Sequence, residues 1–149
     1  MDQLDIKILR MLQKDSNTSV TAIARKVGLS TSPCWKRIER LRSNKIIKSE
    51  RAILDYRKLG FNIVAFVCIQ SGDHSKEWLE NFSQKVTKMP EVTEFHRMAG
   101  DVDYMLKVIV QDIQRFDEFY KRLIEVGKLK DVSSRFSMET IKSSTIIPI

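Results

Sequence analysis

Two α+β units in series are what this sequence predicts. Three observations carry that reading. Apolar residues recur at helical spacing in short segments before residue 45, and strand and helix patterns then follow in the order β-α-β-β-α-β. The excess positive charge is confined to the first 60 residues.

The first helix is predicted over Leu4–Leu12, where Leu4, Ile8, Met11 and Leu12 fall on one stripe and Asp2 can act as N-cap. The polar run DSNTS (15–19) breaks the pattern. A second helix follows, capped by Thr18 or Ser19, with Val20, Ile23, Ala24 and Val27 on one face and Gly28 as a left-handed closing residue. The stretch GLSTSPCWKRIERLR (28–42) reads as a third helix. Ser30 or Ser32 is its cap, so Pro33 lies in the first turn, where its ring breaks no intrahelical bond. Cys34, Ile38 and Leu41 form its buried stripe. Trp35, one step off that stripe, fits the core edge first and a contact surface second. Ile46-Ile47 and Ala52-Ile53-Leu54 flank KSER (48–51) and read as a small hairpin, although no Asn-Gly or Asp-Gly turn joins them. Three helices and a hairpin make a winged helix-turn-helix.

DYRKLGFN (55–62) is a polar connector, which puts the boundary near Gly60 and the two domains at 1–60 and 61–149. IVAFVCIQ (63–70) reads as a buried strand. Ser75–Met89 is a helix with Trp78, Phe82 and Val86 inward, ended by Pro90. VTEFHRM (92–98) alternates as a half-buried strand, AGD (99–101) turns, and DYMLKVIV (103–110) is the third strand. Asp112 caps a helix bearing Ile113, Phe116, Phe119, Leu123 and Ile124; Gly127 ends it, and VSSRFSM (132–138) is the fourth strand. The order is that of a ferredoxin-like βαββαβ domain. Both helices should cover one sheet face. The other face is apolar too, judging by Val64, Phe66 and Cys68 set against Ala65, Val67 and Ile69, so self-association through the sheet is expected.

Composition excludes several classes. The longest apolar run, Ile63 to Ile69, is too short to span a bilayer, and the charged N-terminal segment lacks the apolar core of a signal peptide; no membrane role and a cytoplasmic location are expected. Cys34 and Cys68 are isolated, as are His74 and His96, so no disulfide, metal site or cofactor is expected. No nucleophile and base stand at a telling spacing, and Asp101 with Asp103 at a turn are better acceptors than a catalytic dyad; no catalytic residue is assigned.

Residues 1–60 hold 14 Lys and Arg against 6 Asp and Glu, while residues 61–149 hold 12 against 13, so the net charge of +7 comes wholly from the first domain. That asymmetry points to double-stranded DNA. A helix end carrying small hydroxyls can enter the major groove, while flanking cations neutralise phosphates. Position assigns Thr31, Ser32 and Lys36 to base reading. Arg25, Lys26, Arg37, Arg40, Lys48 and Arg51 are candidate phosphate contacts.

The segments LDIKIL (4–9), TAIARKVGLSTSPCWKRIERL (21–41), DYRKLG (55–60), AGDVDYMLKV (99–108) and METIKSS (138–144) together resemble the leucine-responsive/asparagine regulator (Lrp/AsnC) family of transcription factors. The resemblance covers nearly the whole chain. It implies a RAM-type second domain that forms a homodimer, often assembled into tetramers or octamers, with an amino-acid effector between dimers. It also implies a ligand turn at Gly100, Asp101, Asp103 and Tyr104, completed by a neighbour's segment around Met138–Ser144. There the hydroxyls of Thr140 or Ser143 can donate to a carboxylate. Read from its residues alone, GDVDY is first a tight turn with Tyr104 packed as a strand aromatic. Two features depart from the family pattern: the hairpin region lacks the usual glycines, and the tail TIIPI is short and apolar. The function expected is an effector-modulated, sequence-specific transcriptional regulator; the alternative is an architectural DNA-binding protein without effector.

Overall fold

The computed structural model describes residues 1–149 and falls into two units, Met1–Ile53 with Lys142–Ile149, and Leu54–Ile141. The chain therefore passes between units twice, rather than once near Gly60. The connector turns back on itself through Leu59 and Phe61 N–H bonds to the Tyr56 carbonyl. The tail belongs to the first unit because Gln13 both donates to the Ile147 carbonyl (3.3 Å) and accepts from its N–H (2.6 Å).

The first unit holds helices α1 (Gln3–Lys14), α2 (Val20–Val27) and α3 (Thr31–Ser43). Asp2 starts α1 with a reciprocal cap: its carboxylate accepts the Asp5 N–H at 2.9 Å, and Asp5 accepts the Asp2 N–H at 3.0 Å. Ile8, Leu9, Ile23, Ala24, Cys34, Ile38 and Leu41 form the core. Leu9 takes the buried place that the stripe had given to Leu4, Met11 and Leu12, which are only partly covered. Ser19, not Thr18, caps α2 through the Ala22 N–H. Gly28 closes that helix at φ 74°, its N–H on the Ala24 carbonyl. Nothing lies near where a Cβ would project, so Gly28→Ala should cost only the left-handed backbone strain, about 1 kcal/mol in urea unfolding.

The helix-turn-helix is present, but the predicted hairpin wing is not formed. Lys45 takes a left-handed turn (φ 58°), and the N–H groups of Ile46 and Ile47 both bond to the Leu41 carbonyl at the end of α3. With those amides used as a helix stop and no tight-turn residues in KSER, residues 46–54 build no ladder. Ile47 joins the core, whereas Ile53 and Leu54 stay exposed.

The second unit runs β1 (Ile63–Ser71), α4 (Lys76–Val86), β2 (Val92–Arg97), β3 (Tyr104–Val110), α5 (Ile113–Ile124) and β4 (Leu129–Phe136). The sheet is antiparallel throughout, in the order β2-β3-β1-β4, which is the ferredoxin-like arrangement. Ala65, Val67 and Ile69 of β1 and Tyr104, Leu106, Val108 and Val110 of β3 pack under Phe82, Val86, Phe116, Phe119 and Leu123 of the helices. On α5, Ile113 and Ile124 lie on the flank of this stripe and remain exposed. The opposite sheet face has an apolar centre of Val64, Phe66, Cys68, Met105 and Ile109. Charged neighbours frame it: Lys107 and Arg135 lie directly opposite Phe66 in the ladders. No helix is long and apolar enough to cross a membrane.

Candidate functional site

The third helix presents two chemically different faces. Cys34, Ile38 and Leu41 anchor it, and Ser32 and Lys36, four residues apart, point the opposite way. Ser30 occupies the cap position without a side-chain cap bond, so the hydroxyls of Ser30, Thr31 and Ser32 are left free at an exposed helix start. Pro33, at the third helical position, contributes no N–H. Lys36 makes no ion pair, and neither do Arg25, Lys26, Lys48 or Arg51; all five are exposed.

Trp35 is 51% exposed and lies outside the buried cluster, which corrects its favoured placement at the core edge. A step of 100° from Cys34 carries it past the contact with α1 and α2 and onto the same open side as Thr31.

Two of the arginines assigned to phosphate are committed within the protein. Arg37 bonds Asp2 at 2.7 Å and Asp5 at 2.8 Å, and Arg40 bonds the other oxygen of Asp5 at 2.8 Å. Asp5 is fully buried. Burial pushes its carboxyl up, but the Asp2 N–H, the Arg37 bond and the Arg40 charge together hold it below the usual carboxylate range. Asp2 is lowered to about 2, first by the Asp5 N–H and then by Arg37. Arg37 thus ties α3 to the start of α1. Arg40 keeps 54% of its side chain exposed and can still face a phosphate. Arg42 is held by Glu39 and Glu50, both at 2.7 Å. The signal for Asp5 was present in the sequence, since D-x-x-D at 2–5 is a capping-box spacing. Its buried partnership with two arginines more than thirty residues away was not.

In the second unit, Gly100 sits at φ 124° in the β2–β3 turn. Asp103 builds this turn: its N–H donates to the Ile69 carbonyl, its carbonyl accepts from Met98, and its carboxylate accepts the Ser71 N–H at 2.7 Å. Asp101 is exposed beside it. Tyr104 is 3% exposed and packs in the core with Phe82, Phe95 and Trp78 at ring distances of 5.3, 5.8 and 6.0 Å; burial pushes its phenol up. Its ring is part of the core of this unit.

Thr140 lies elsewhere, 3.4 Å from the Tyr56 hydroxyl. The turn adjoins Ile69 and the start of the 137–140 segment adjoins Val64, so β1 separates them by about 17 Å. Within one chain the structure does not bring Thr140 to Gly100–Asp103. Ser143 is exposed in the tail of the first unit.

Comparison with known proteins agrees with this architecture. Residues 64–147 match the family model described as the Lrp/AsnC ligand binding domain, and residues 1–42 match the AsnC-type helix-turn-helix domain. The chain is 47% identical to the glutamate uptake regulatory protein of Zymomonas mobilis, covering 100% of this chain and 91% of that protein. It is 48% identical to the DNA-binding transcriptional activator DecR of Escherichia coli, covering 100% and 99%. A crystal structure of an AsnC family transcriptional regulator from Agrobacterium tumefaciens superposes with a TM-score of 0.95 at 51% identity, covering 99% and 97% of the two chains. A Neisseria meningitidis transcriptional regulator solved in complex with L-Met superposes with a TM-score of 0.93 at 30% identity, covering 99% and 96%.

Proposed function

The chain belongs to the Lrp/AsnC family of DNA-binding transcriptional regulators, which are not enzymes, and we propose that it reads a specific duplex through α3 under the control of a small effector. The observation that carries the DNA reading is the free face of α3. Its hydroxyls and Lys36 stand clear of every internal partner, while the arginines behind them hold the helix in place. Thr31 and Ser32 read base edges, and Lys36 reads a base or phosphate at the groove. Arg25, Lys26, Lys48 and Arg51 neutralise phosphates, Arg40 does so in part, and Arg37 acts as a positioning residue.

An amino acid or related metabolite is the proposed effector, supported by the L-Met complex of the Neisseria relative. The Gly100–Asp103 turn supplies backbone groups and the Asp101 carboxylate. Thr140, which does not reach that turn within a chain, serves it from a neighbouring subunit, and Ser143 is assigned to the same neighbour-supplied segment. A homodimer through the open sheet face, assembled further to a tetramer or octamer, meets both needs, in the cytoplasm where the chromosome is.

Fluorescence anisotropy with promoter DNA tests the reading. Affinity should fall as salt rises from about 50 to 200 mM, and Lys36→Ala should lower the salt slope by about 1 per bound α3. Ser32→Ala should weaken preferred sites about fivefold while leaving random duplex unchanged. Affinity insensitive to salt would reject phosphate neutralisation. If none of the twenty amino acids raises the unfolding midpoint, the effector-independent architectural reading replaces the regulated one.

A further inference from the structure

Trp35 is the only aromatic side chain of the first unit. It is 51% exposed, and it joins neither the buried cluster nor any aromatic or cation–π pair of the protein. The other tryptophan, Trp78, stacks on Phe82 at 4.7 Å in the second unit. Single exposed apolar side chains are common on protein surfaces, but the neighbours of this one are not. Steps of 100° per residue set Thr31, Trp35, Ser32 and Lys36 in that order across about 140° of α3. The indole therefore stands between the two hydroxyls of the reading face, both of them exposed. A helical side chain leans toward the N-terminus and covers the turn before its own Cα, so Trp35 covers the tip of α3 rather than its middle. One and two turns further along the same strip, Glu39 and Arg42 are paired with each other at 2.7 Å. That strip offers a phosphate no free cation, whereas Lys36 on the far side of Ser32 does.

We infer that Trp35 is a specificity-determining residue that covers the 5-methyl group of a thymine in the major groove, beside the base met by Ser32; this rests on the reading of α3 given above. Bases of an intact duplex stay stacked, so a ring entering from the groove meets their edges and not their faces. Among the groups on those edges the thymine methyl is the apolar one, and the rest are hydrogen-bond donors and acceptors. Covering the methyl removes apolar surface of both partners from water. Over a guanine or cytosine edge the same ring would strip water from polar groups, and its single N–H could replace only one of the lost bonds. A hydroxyl both donates and accepts, and so separates base edges weakly. Trp35 adds the discrimination that Thr31 and Ser32 lack, because it selects by apolarity.

The test uses the full chain and the duplex it prefers from a randomised pool, with each thymine replaced in turn by deoxyuridine, which deletes only the methyl. Wild type should lose about fourfold in affinity for each methyl that Trp35 covers. Trp35→Ala should bind the thymine and uracil duplexes equally, and should leave affinity for random duplex unchanged. Trp35→Phe, which keeps a ring, should retain part of the difference. A second measurement needs no variant to fold as an alanine: acrylamide quenching of wild-type fluorescence, with Trp35→Phe supplying the Trp78 background. Trp35 emission should be open to the quencher in the free chain and shielded in the complex. Equal losses on uracil for wild type and Trp35→Ala, no loss for either, or a Trp35 as open in the complex as before would each overturn the inference. A wild-type chain that prefers no duplex would overturn the DNA reading and this inference together. Sequence preference that survives every uracil replacement overturns this inference alone.

Discussion

Asp5→Ala is expected to destabilise the first unit by about 3 kcal/mol, measured by urea unfolding followed by helical circular dichroism. Asp5 is fully buried and accepts Arg37, Arg40 and the Asp2 N–H at once. Removing it leaves one cap bond unmade and two guanidiniums without their shared partner. The guanidiniums reach water, Arg40 more than Arg37, so the loss falls at the lower end of the range for a broken buried ion pair. DNA affinity should fall with it, since Arg37 and Arg40 hold α3 in register with α1. Asp5→Asn, which keeps the shape and loses the charge, should fall between the two. The same network sets the acid limit of the unit. Asp2 and Asp5 both have carboxyls lower in the folded state than the usual 3.8. Their contribution is therefore complete above about pH 4 and is lost as the pH falls toward 2, where Asp2 takes up its proton. A titration showing no loss of stability between about pH 4 and 2 would reject the network as a stabilising element.

Phe82→Ala should cost the second unit about 3–5 kcal/mol. Its ring is fully buried, stacks on Trp78 at 4.7 Å, and meets Phe95 edge-on at 5.8 Å and Tyr104 at 5.3 Å. Truncation removes the centre of an aromatic group that joins α4 to β2 and β3, and flanking rings cannot close a gap of that shape. Gly127 marks how tightly the group is hemmed in, because a Cβ there would lie 3.1 Å from the Trp78 indole nitrogen. Ile113→Ala is the matched control; at 62% exposure its effect should stay within about 0.5 kcal/mol. Differential calorimetry resolves these changes if the two units unfold in separate transitions. Equal losses from Phe82→Ala and Ile113→Ala would contradict the placement of this core.

Local rules read most of the architecture correctly because they act over a few residues. Asp2, Ser19 and Asp112 cap the helices that follow them, and Gly28 closes α2 in the left-handed region. DYMLKVIV was legible as a strand, and the structure puts Tyr104, Leu106, Val108 and Val110 on its buried face. The hairpin failed for the complementary reason. Two apolar pairs flanking KSER satisfy a pattern, but a ladder needs a turn that brings them into register, and the end of α3 takes the amides first.

The site shows the same division more sharply. Lys36 and Arg37 are neighbours, both cationic and both on one helix. Helical periodicity could place Lys36 opposite Cys34 and Ile38, because that depends only on rotation about the helix axis. It could not reveal that Arg37 is bound to Asp2 and Asp5, or that Trp35 faces outward, because those outcomes depend on where α1 crosses α3. Likewise the Gly100 turn was legible as GDVDY, while its separation from Thr140 by the length of β1 was not. Caps, stripes, strand order and the charge asymmetry belong to the sequence itself. Which cations remain free for DNA, and which side of α3 stands open, were decided by packing, since an ion pair or a covered face exists only once distant segments are brought within a few ångströms of each other.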